Sequence, residues 1–375
     1  MRRPLDGLRV LDFTHVISGP FATYQLGLMG AEVIRVERPA GDDFVRTHGG
    51  TEPMRAAGLG ASFLSQNAGK RSVALDLKTG DGRAAALRLA ATADIVVENF
   101  RPGVADRLGI GFDAIRAARP DVIFASLTGF GPDGPLSDRP AYDHILQGIS
   151  GLMAMTGTPE SGPVRSGIPI VDYVAGQALV TAVLAALLNR RDEAQRVEVS
   201  MLEALLAFMG PQAVHQETTG AIRGLAGNAA FSDSPFSGRF ACAEGEIVVT
   251  ANTPAQVVRC ATALGRPDLA DAPAETVADA LPDLFAADTA DGWEARLAAA
   301  QVPAARVRSL PEMLAHPQMA DSPCWARIDV PPIGASVRVP TLPFRAPWTR
   351  PPGRVPTLGE DTEAVLAETL EGAPT

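Results

Sequence analysis

Strand and helix patterns alternate through roughly the first 130 residues, and this restricts the possible folds more than any other feature of the chain. Leu8-Arg-Val-Leu-Asp-Phe13 is an apolar run of strand length, and Phe21 to Met29 suits a helix. Glu32–Glu37, Ser72–Leu77, Asp94–Glu98 and Val122–Leu127 read as further strands. Gly82–Ala91 and Phe112–Arg119 read as helices between them. Such alternation predicts a Rossmann-like α/β domain, a parallel sheet with helices on both faces. Ligands of such sheets gather beyond the carboxyl ends of the strands. The residues to watch are therefore Thr14 to Gly19, Arg38 to Gly41, Lys78, Asn99 to Gly103 and Thr128 to Asp143.

A length of 375 residues suggests about two domains. The pattern changes near Ala221, where short strands (Phe240-Ala-Cys242, Ile247–Thr250), Ala-rich helices and Pro-rich turns begin. The expected division is a large α/β domain over residues 1–220 and a smaller α+β domain over 221–325. A return segment over 326–375 completes the chain. Its prolines between Asp329 and Pro356 predict extended chain, followed by a helix from Gly359 to Leu370 capped near Glu360-Asp361.

A net charge of −10 argues against nucleic acid as the partner. Cys242, Cys260 and Cys324 lack metal-type spacing and read as free thiols of a reducing compartment. The five histidines are scattered without an i, i+4 pair, so no metal site is expected. No apolar leader precedes the first strand. The apolar segment from Tyr173 to Leu188 is short for a membrane span and carries Gln177 and Thr181, so it reads as a buried core helix. These features together predict a cytoplasmic protein with no membrane partner.

Gly129-Phe-Gly131-Pro-Asp-Gly134 matches G-x-G-x-x-G after a strand, but Pro132 and Pro135 leave no helix to receive a pyrophosphate. Cations do cluster at strand ends: Arg38, Lys70, Arg71, Lys78, Arg101 and Arg107. Each alone is an ordinary surface charge; their shared placement suits a phosphate-bearing ligand. Asp172 opens the long apolar helix after Ser166-Gly-Ile-Pro169. It either caps that helix or is held there to react, and spacing does not separate the two.

The blocks Pro4–Pro20, Leu28–Arg38, Asn67–Lys78, Asp94–Gly103, Gly129–Pro135, Arg139–Asp143 and Ser150–Met153, in this order, resemble the class III CoA-transferase family. That family includes formyl-CoA transferase, the carnitine-pathway CoA-transferase and α-methylacyl-CoA racemase. The resemblance implies a homodimer of two interlocked ring-shaped chains, with coenzyme A as a substrate and no permanently bound cofactor. It places the catalytic carboxylate at Asp172. It places CoA against Val16, Arg38, Leu75, Lys78, Asn99, Phe100, Arg101, Arg107, Arg139 and Tyr142, with Tyr142 facing the thioester. The acyl pocket would involve Ile17, Ser18, Met153 and the 224–238 segment. Ile17 replaces a catalytic glutamine of formyl-CoA transferase, so oxalate and formate are not the expected acids, and Ile17 with Leu152-Met153 suggests a less polar one. Arg191-Asp-Glu-Ala-Gln195 lacks the family's glycines, and the glycine run that covers the formyl-CoA transferase site is missing here.

The implied reaction moves CoA from an acyl-CoA to a carboxylic acid through Asp172, as anhydride and then thioester. Backbone N–H groups at the start of the Asp172 helix are the expected oxyanion donors. The alternative is a 2-methylacyl-CoA racemase using Asp172 for proton transfer. That branch carries a histidine where Tyr142 stands, and His144 lies two positions away. A non-catalytic CoA-binding protein is the third reading.

Overall fold

The computed structural model describes residues 1–229 and 232–371. Six strands form one parallel sheet: β1 (Arg9–Asp12), β2 (Glu32–Glu37), β3 (Arg71–Ala74), β4 (Ile95–Glu98), β5 (Ile123–Thr128) and β6 (Gln195–Ser200). Their order is β3-β2-β1-β4-β5-β6. The chain winds outward from β1 in one direction and then, from β4, in the other. The switch point between β1 and β4 opens a crevice at their carboxyl ends.

Alternate side chains of each strand feed two cores. One face joins Val10, Val33, Val97, Ala125 and Leu127 to Leu26, Leu179 and Val183 of two helices. The opposite face joins Leu11, Ile34, Val73, Val96 and Phe124 to Ala86, Leu89, Ile115 and Val365.

Five strands lie where the sequence places them. β6 was not anticipated: Arg196 and Glu198 alternate with Val197 and Val199, because it is an edge strand and lacks an apolar run. The first helix runs Ser18–Leu28, starting earlier than expected. Pro20 lies in its first turn, where the missing N–H has no acceptor to lose. No helix follows Gly134, and the next begins at Asp143.

The Ile170–Leu188 helix has the length and mean hydropathy (1.8) to cross a membrane. Its burial is one-sided, which differs from the expectation of a wholly buried helix. Val171, Ala175, Leu179, Val183 and Ala186 are buried, while Gln177, Thr181, Ala185 and Leu188 are exposed. The sheet, the first helix and the helices Asp143–Ile149 and Met201–Phe208 pack against it and leave those residues uncovered.

The chain divides into two compact units. One holds residues 1–153, 165–222 and those from 323 onward, and includes the six-stranded sheet. The other holds 154–164 and 223–322. In it an antiparallel sheet of Gly238–Ala241, Glu246–Val249 and Ala304–Arg306 packs with helices around Ile247, Phe285, Trp293 and Leu297.

The proline-rich tail is not uniformly extended. Trp325–Val330 and Ala335–Pro340 pair as an antiparallel hairpin, turned at Gly334, whose φ is +60°. The tail then covers β3, an edge strand whose free backbone groups need partners. Ser72 N donates to Asp361 Oδ2 (2.8 Å), Asp361 N to Ser72 O (2.9 Å), and Ala74 N to Thr362 Oγ1 (2.9 Å). Asp361, expected near a cap, is engaged with the sheet edge.

Candidate active site

Two elements meet at the switch point. Beyond β1 the chain bends through Val16, whose φ of +69° is left-handed, and enters the Ser18–Leu28 helix at Ile17. The Ile170–Leu188 helix crosses it closely, because Gly176 has no side chain. A Cβ there would stand 2.7 Å from the Ser18 carbonyl oxygen and 2.8 Å from the Phe21 ring. The approach brings Ser18 Oγ to 2.5 Å from Asp172 Oδ1, a buried hydrogen bond that the hydroxyl donates.

Asp172 does not cap its helix. Pro169 occupies the N-cap position, and the capping carboxylate comes from another element. Asp143 Oδ2 accepts from Val171 N (2.7 Å) and, at longer range, Asp172 N (3.4 Å). Gln147 Nε2 donates to Asp143 Oδ1 at 2.5 Å. The capping alternative for Asp172 is thereby removed. So is the expectation that these first-turn amides serve as oxyanion donors, since Asp143 already engages them.

Asp172 Oδ2 takes no hydrogen bond from any described residue. Burial pushes the Asp172 carboxyl up to about 6; the Ser18 hydroxyl opposes that rise and the Asp143 charge adds to it. An acid of this kind is ionised at neutral pH yet more basic than an exposed aspartate.

A cavity of about 170 Å³ holds Asp172 together with Val16, Ile17, Ser18, Asn99, Phe100, Arg101, Arg139 and Tyr142. A second cavity, of about 360 Å³, is lined by Arg38, Leu75, Lys78 and again Phe100. Phe100 and His15 line both, with their rings 5.7 Å apart. Glu98 holds the turn at Phe100 by accepting its N–H (2.7 Å). Arg107 and Met153 line neither cavity. Residues 230 and 231 of the 224–238 segment lie outside the described residues.

Three of the strand-end cations already pair with carboxylates, the exposed Arg38 with Asp42. Lys70 is buried on Asp12 (3.0 Å), and Arg71 pairs with Glu32 and Glu368 (2.8 and 2.7 Å). Sequence reasoning missed Asp43, and it gave no role to His15 or Asp143 although both lie in the strand-end ranges it flagged. Asp143 was visible only as the last letter of a motif, because its partner amides lie 28 residues or more away. Among the described residues no His, Cys, Asp and Glu side chains cluster to hold a metal ion.

Residues 5–362 match the model of CoA-transferase family III. The chain belongs to this family. A succinate–glutarate CoA-transferase of Agrobacterium fabrum is 33% identical, covering 97% of this chain and 95% of its own. The human succinyl-CoA:glutarate CoA-transferase is 31% identical over 98% of this chain and 86% of its own. Among solved structures, a CaiB/BaiF family protein from Brucella suis superposes with a TM-score of 0.86 at 30% identity, covering 98% of this chain and all of that one (100%).

As a class III CoA-transferase the protein uses CoA as a cosubstrate, and acyl-CoA and carboxylate substrates fit its family. The racemase alternative gains nothing from His144, which is exposed and lines neither cavity.

Proposed function

We propose that this CoA-transferase works through covalent catalysis on Asp172. The observation that carries the reading is a buried carboxylate with one oxygen held by Ser18, the other without a hydrogen bond among the described residues, and its helix capped by a different residue. An Asp172 oxygen attacks the thioester carbonyl carbon. The C–S bond breaks, CoA leaves as the thiolate, and a mixed anhydride remains. The thiolate attacks the Asp172 carbonyl carbon, the donor acid departs as its carboxylate, and an aspartyl-CoA thioester forms. The acceptor carboxylate repeats the two steps in reverse order and regenerates Asp172. One thioester is exchanged for another, so no ATP is consumed. Burial of Asp172 itself limits the access of water to the anhydride.

CoA is proposed to lie along the larger cavity, its phosphates near Arg38 and Lys78, with the thioester passing Phe100 towards Asp172. Ile17 gives the small cavity an apolar wall, and Arg139 gives it a cation. That pairing suits an acid longer than oxalate with a second carboxylate, the class on which the named succinate and glutarate relatives act. A homodimer is the proposed assembly, supported by the exposed Phe208, Val214 and Ile222. The free thiols of Cys242 and Cys260 support a reducing cytoplasm as the proposed location.

The test is trapping. The protein is incubated with a panel of acyl-CoAs, quenched with hydroxylamine, and mapped around Asp172. A hydroxamate on Asp172 is the expected result. No adduct with any donor, with solvent deuterium entering Cα of a 2-methylacyl-CoA, overturns the reading in favour of proton transfer.

A further inference from the structure

The bend between β1 and the first helix turns on Val16, with φ at +69°. A β-branched residue is ill suited to that region, because its Cβ crowds the following carbonyl and its rotamers are few. Such a conformation persists only where neighbours impose it.

Two neighbours do so. Asn99 brackets the preceding residue: His15 N donates to Asn99 Oδ1 (2.9 Å), and Asn99 Nδ2 donates to His15 O (2.9 Å). On the other side the Val16 N–H meets the Asp43 carboxylate, 3.3 Å from Oδ2 and 3.4 Å from Oδ1. Asp43 is itself fixed from beneath. Arg35 Nη2 donates to Asp43 Oδ2 at 2.5 Å, and the Arg35 side chain is 1% exposed. Arg35 also pairs with Glu37 (3.3 Å) and lies over the Phe63 ring (5.5 Å). A rigid run therefore extends from β2, through Arg35 and Asp43, to the Val16 backbone. Two residues further on, the Ser18 hydroxyl meets Asp172.

We propose that Asp43, fixed by Arg35, is a positioning residue for CoA transfer: it holds Val16 in its left-handed conformation and so sets where the Ser18 hydroxyl meets Asp172. The proposal rests on Asp172 being the reacting group. Without the Asp43 carboxylate, Val16 relaxes to negative φ, the helix start swings, and Ser18 withdraws from the nucleophile. Small displacements of that kind cost rate and leave substrate binding largely intact.

The test uses the full-length protein with succinyl-CoA as donor and glutarate as acceptor, and reads kcat, KM and Tm. Asp43 also lines the larger cavity, so the discriminating readout is the split: Asp43→Ala is expected to lower kcat about 100-fold, far more than the about threefold change in KM for succinyl-CoA. Adding Val16→Gly should restore at least about tenfold of the lost kcat, because glycine adopts positive φ without being held. Asp43→Asn keeps an acceptor for the Val16 N–H while removing the counter-charge of Arg35. It should retain more kcat than Asp43→Ala while losing Tm to a similar extent.

A residue serving stability alone would give Ala and Asn variants with parallel losses of kcat and Tm, and no recovery with Val16→Gly. That pattern, in a wild-type protein that transfers CoA, overturns the proposal alone. So does Asp43→Ala with undiminished kcat. A wild-type protein that never acylates Asp172 overturns the functional reading, and the proposal falls with it.

Discussion

Replacing Asp172 by asparagine should abolish transfer and stabilise the fold. Burial raises the carboxyl from 3.8 to about 6, a shift of roughly two units, or about 3 kcal/mol favouring the protonated form. The native protein therefore binds this proton more tightly than the unfolded chain does. Stability is fully present below pH ~4, is lost as pH rises through about 6, and stays lost above that. Asparagine carries no charge at any of these pH values. Its amide must still be buried, which costs about 1 kcal/mol, while the Ser18 hydroxyl can donate to its oxygen as before. The net gain is about 2 kcal/mol at pH 7.5, a rise in Tm of roughly 2–4 °C. The assay is thermal and urea unfolding of both proteins at pH 7.5 and 4.5. At the lower pH most wild-type carboxyls carry a proton, so the electrostatic part of the gap shrinks to about a third. An Asp172→Asn protein less stable than wild type at pH 7.5, or a gap that ignores pH, would refute the reasoning.

The two neighbours of Asp172 should move its titration in opposite directions. In the wild-type pH–rate profile kcat is expected to fall below about pH 6, as the proposed nucleophile is protonated. Ser18→Ala removes the hydrogen bond that opposes the rise, so the acidic limb should move to higher pH; an unmoved limb contradicts the role given to that hydroxyl. Asp143→Ala removes a raising charge and the acceptor of Val171 N–H. The limb should move to lower pH while urea unfolding shows a loss of about 1–2 kcal/mol for the uncapped helix. Lys78→Ala should raise KM for acyl-CoA about tenfold, more than it lowers kcat, because a phosphate contact is made equally in ground and transition states.

The sheet was legible in the sequence because its inner strands are buried on both faces and read as unbroken apolar runs. The edge strand Gln195–Ser200 was not, since its outer positions carry Arg196 and Glu198. The Asp172 helix was plain in extent and misleading in burial, because hydropathy reports how apolar a helix is and not which of its sides the fold covers. The pair of readings for Asp172 could not be settled from spacing. Asp143, whose side chain reaches Val171 across 28 positions of sequence, removes the capping reading. Lys70 and Lys78 look alike as strand-end cations, yet one is buried on Asp12 and the other lines the larger cavity. Charge pattern does not encode that difference; burial does.

If Asp172 is the nucleophile proposed above, its raised pKa also bears on why a carboxylate suits the exchange. An aspartate of ordinary acidity would be a weak nucleophile and a good leaving group, and the anhydride would revert to starting thioester. A buried one at about 6 is more basic than free substrate carboxylates, which titrate at roughly 4–5. It attacks more readily, and it leaves less readily when the thiolate returns. The thiolate must then choose between two carbonyl carbons, and the poorer leaving group is Asp172, so breakdown towards aspartyl-CoA is favoured. Ser18 limits the rise in basicity, so that the nucleophile remains ionised at neutral pH. Asp143 caps the helix and keeps a second charge nearby, so the basicity is not lost. On the proposed mechanism, burial and the Ser18 hydrogen bond act in opposite directions on one carboxylate, leaving it more basic than an exposed aspartate yet ionised at neutral pH.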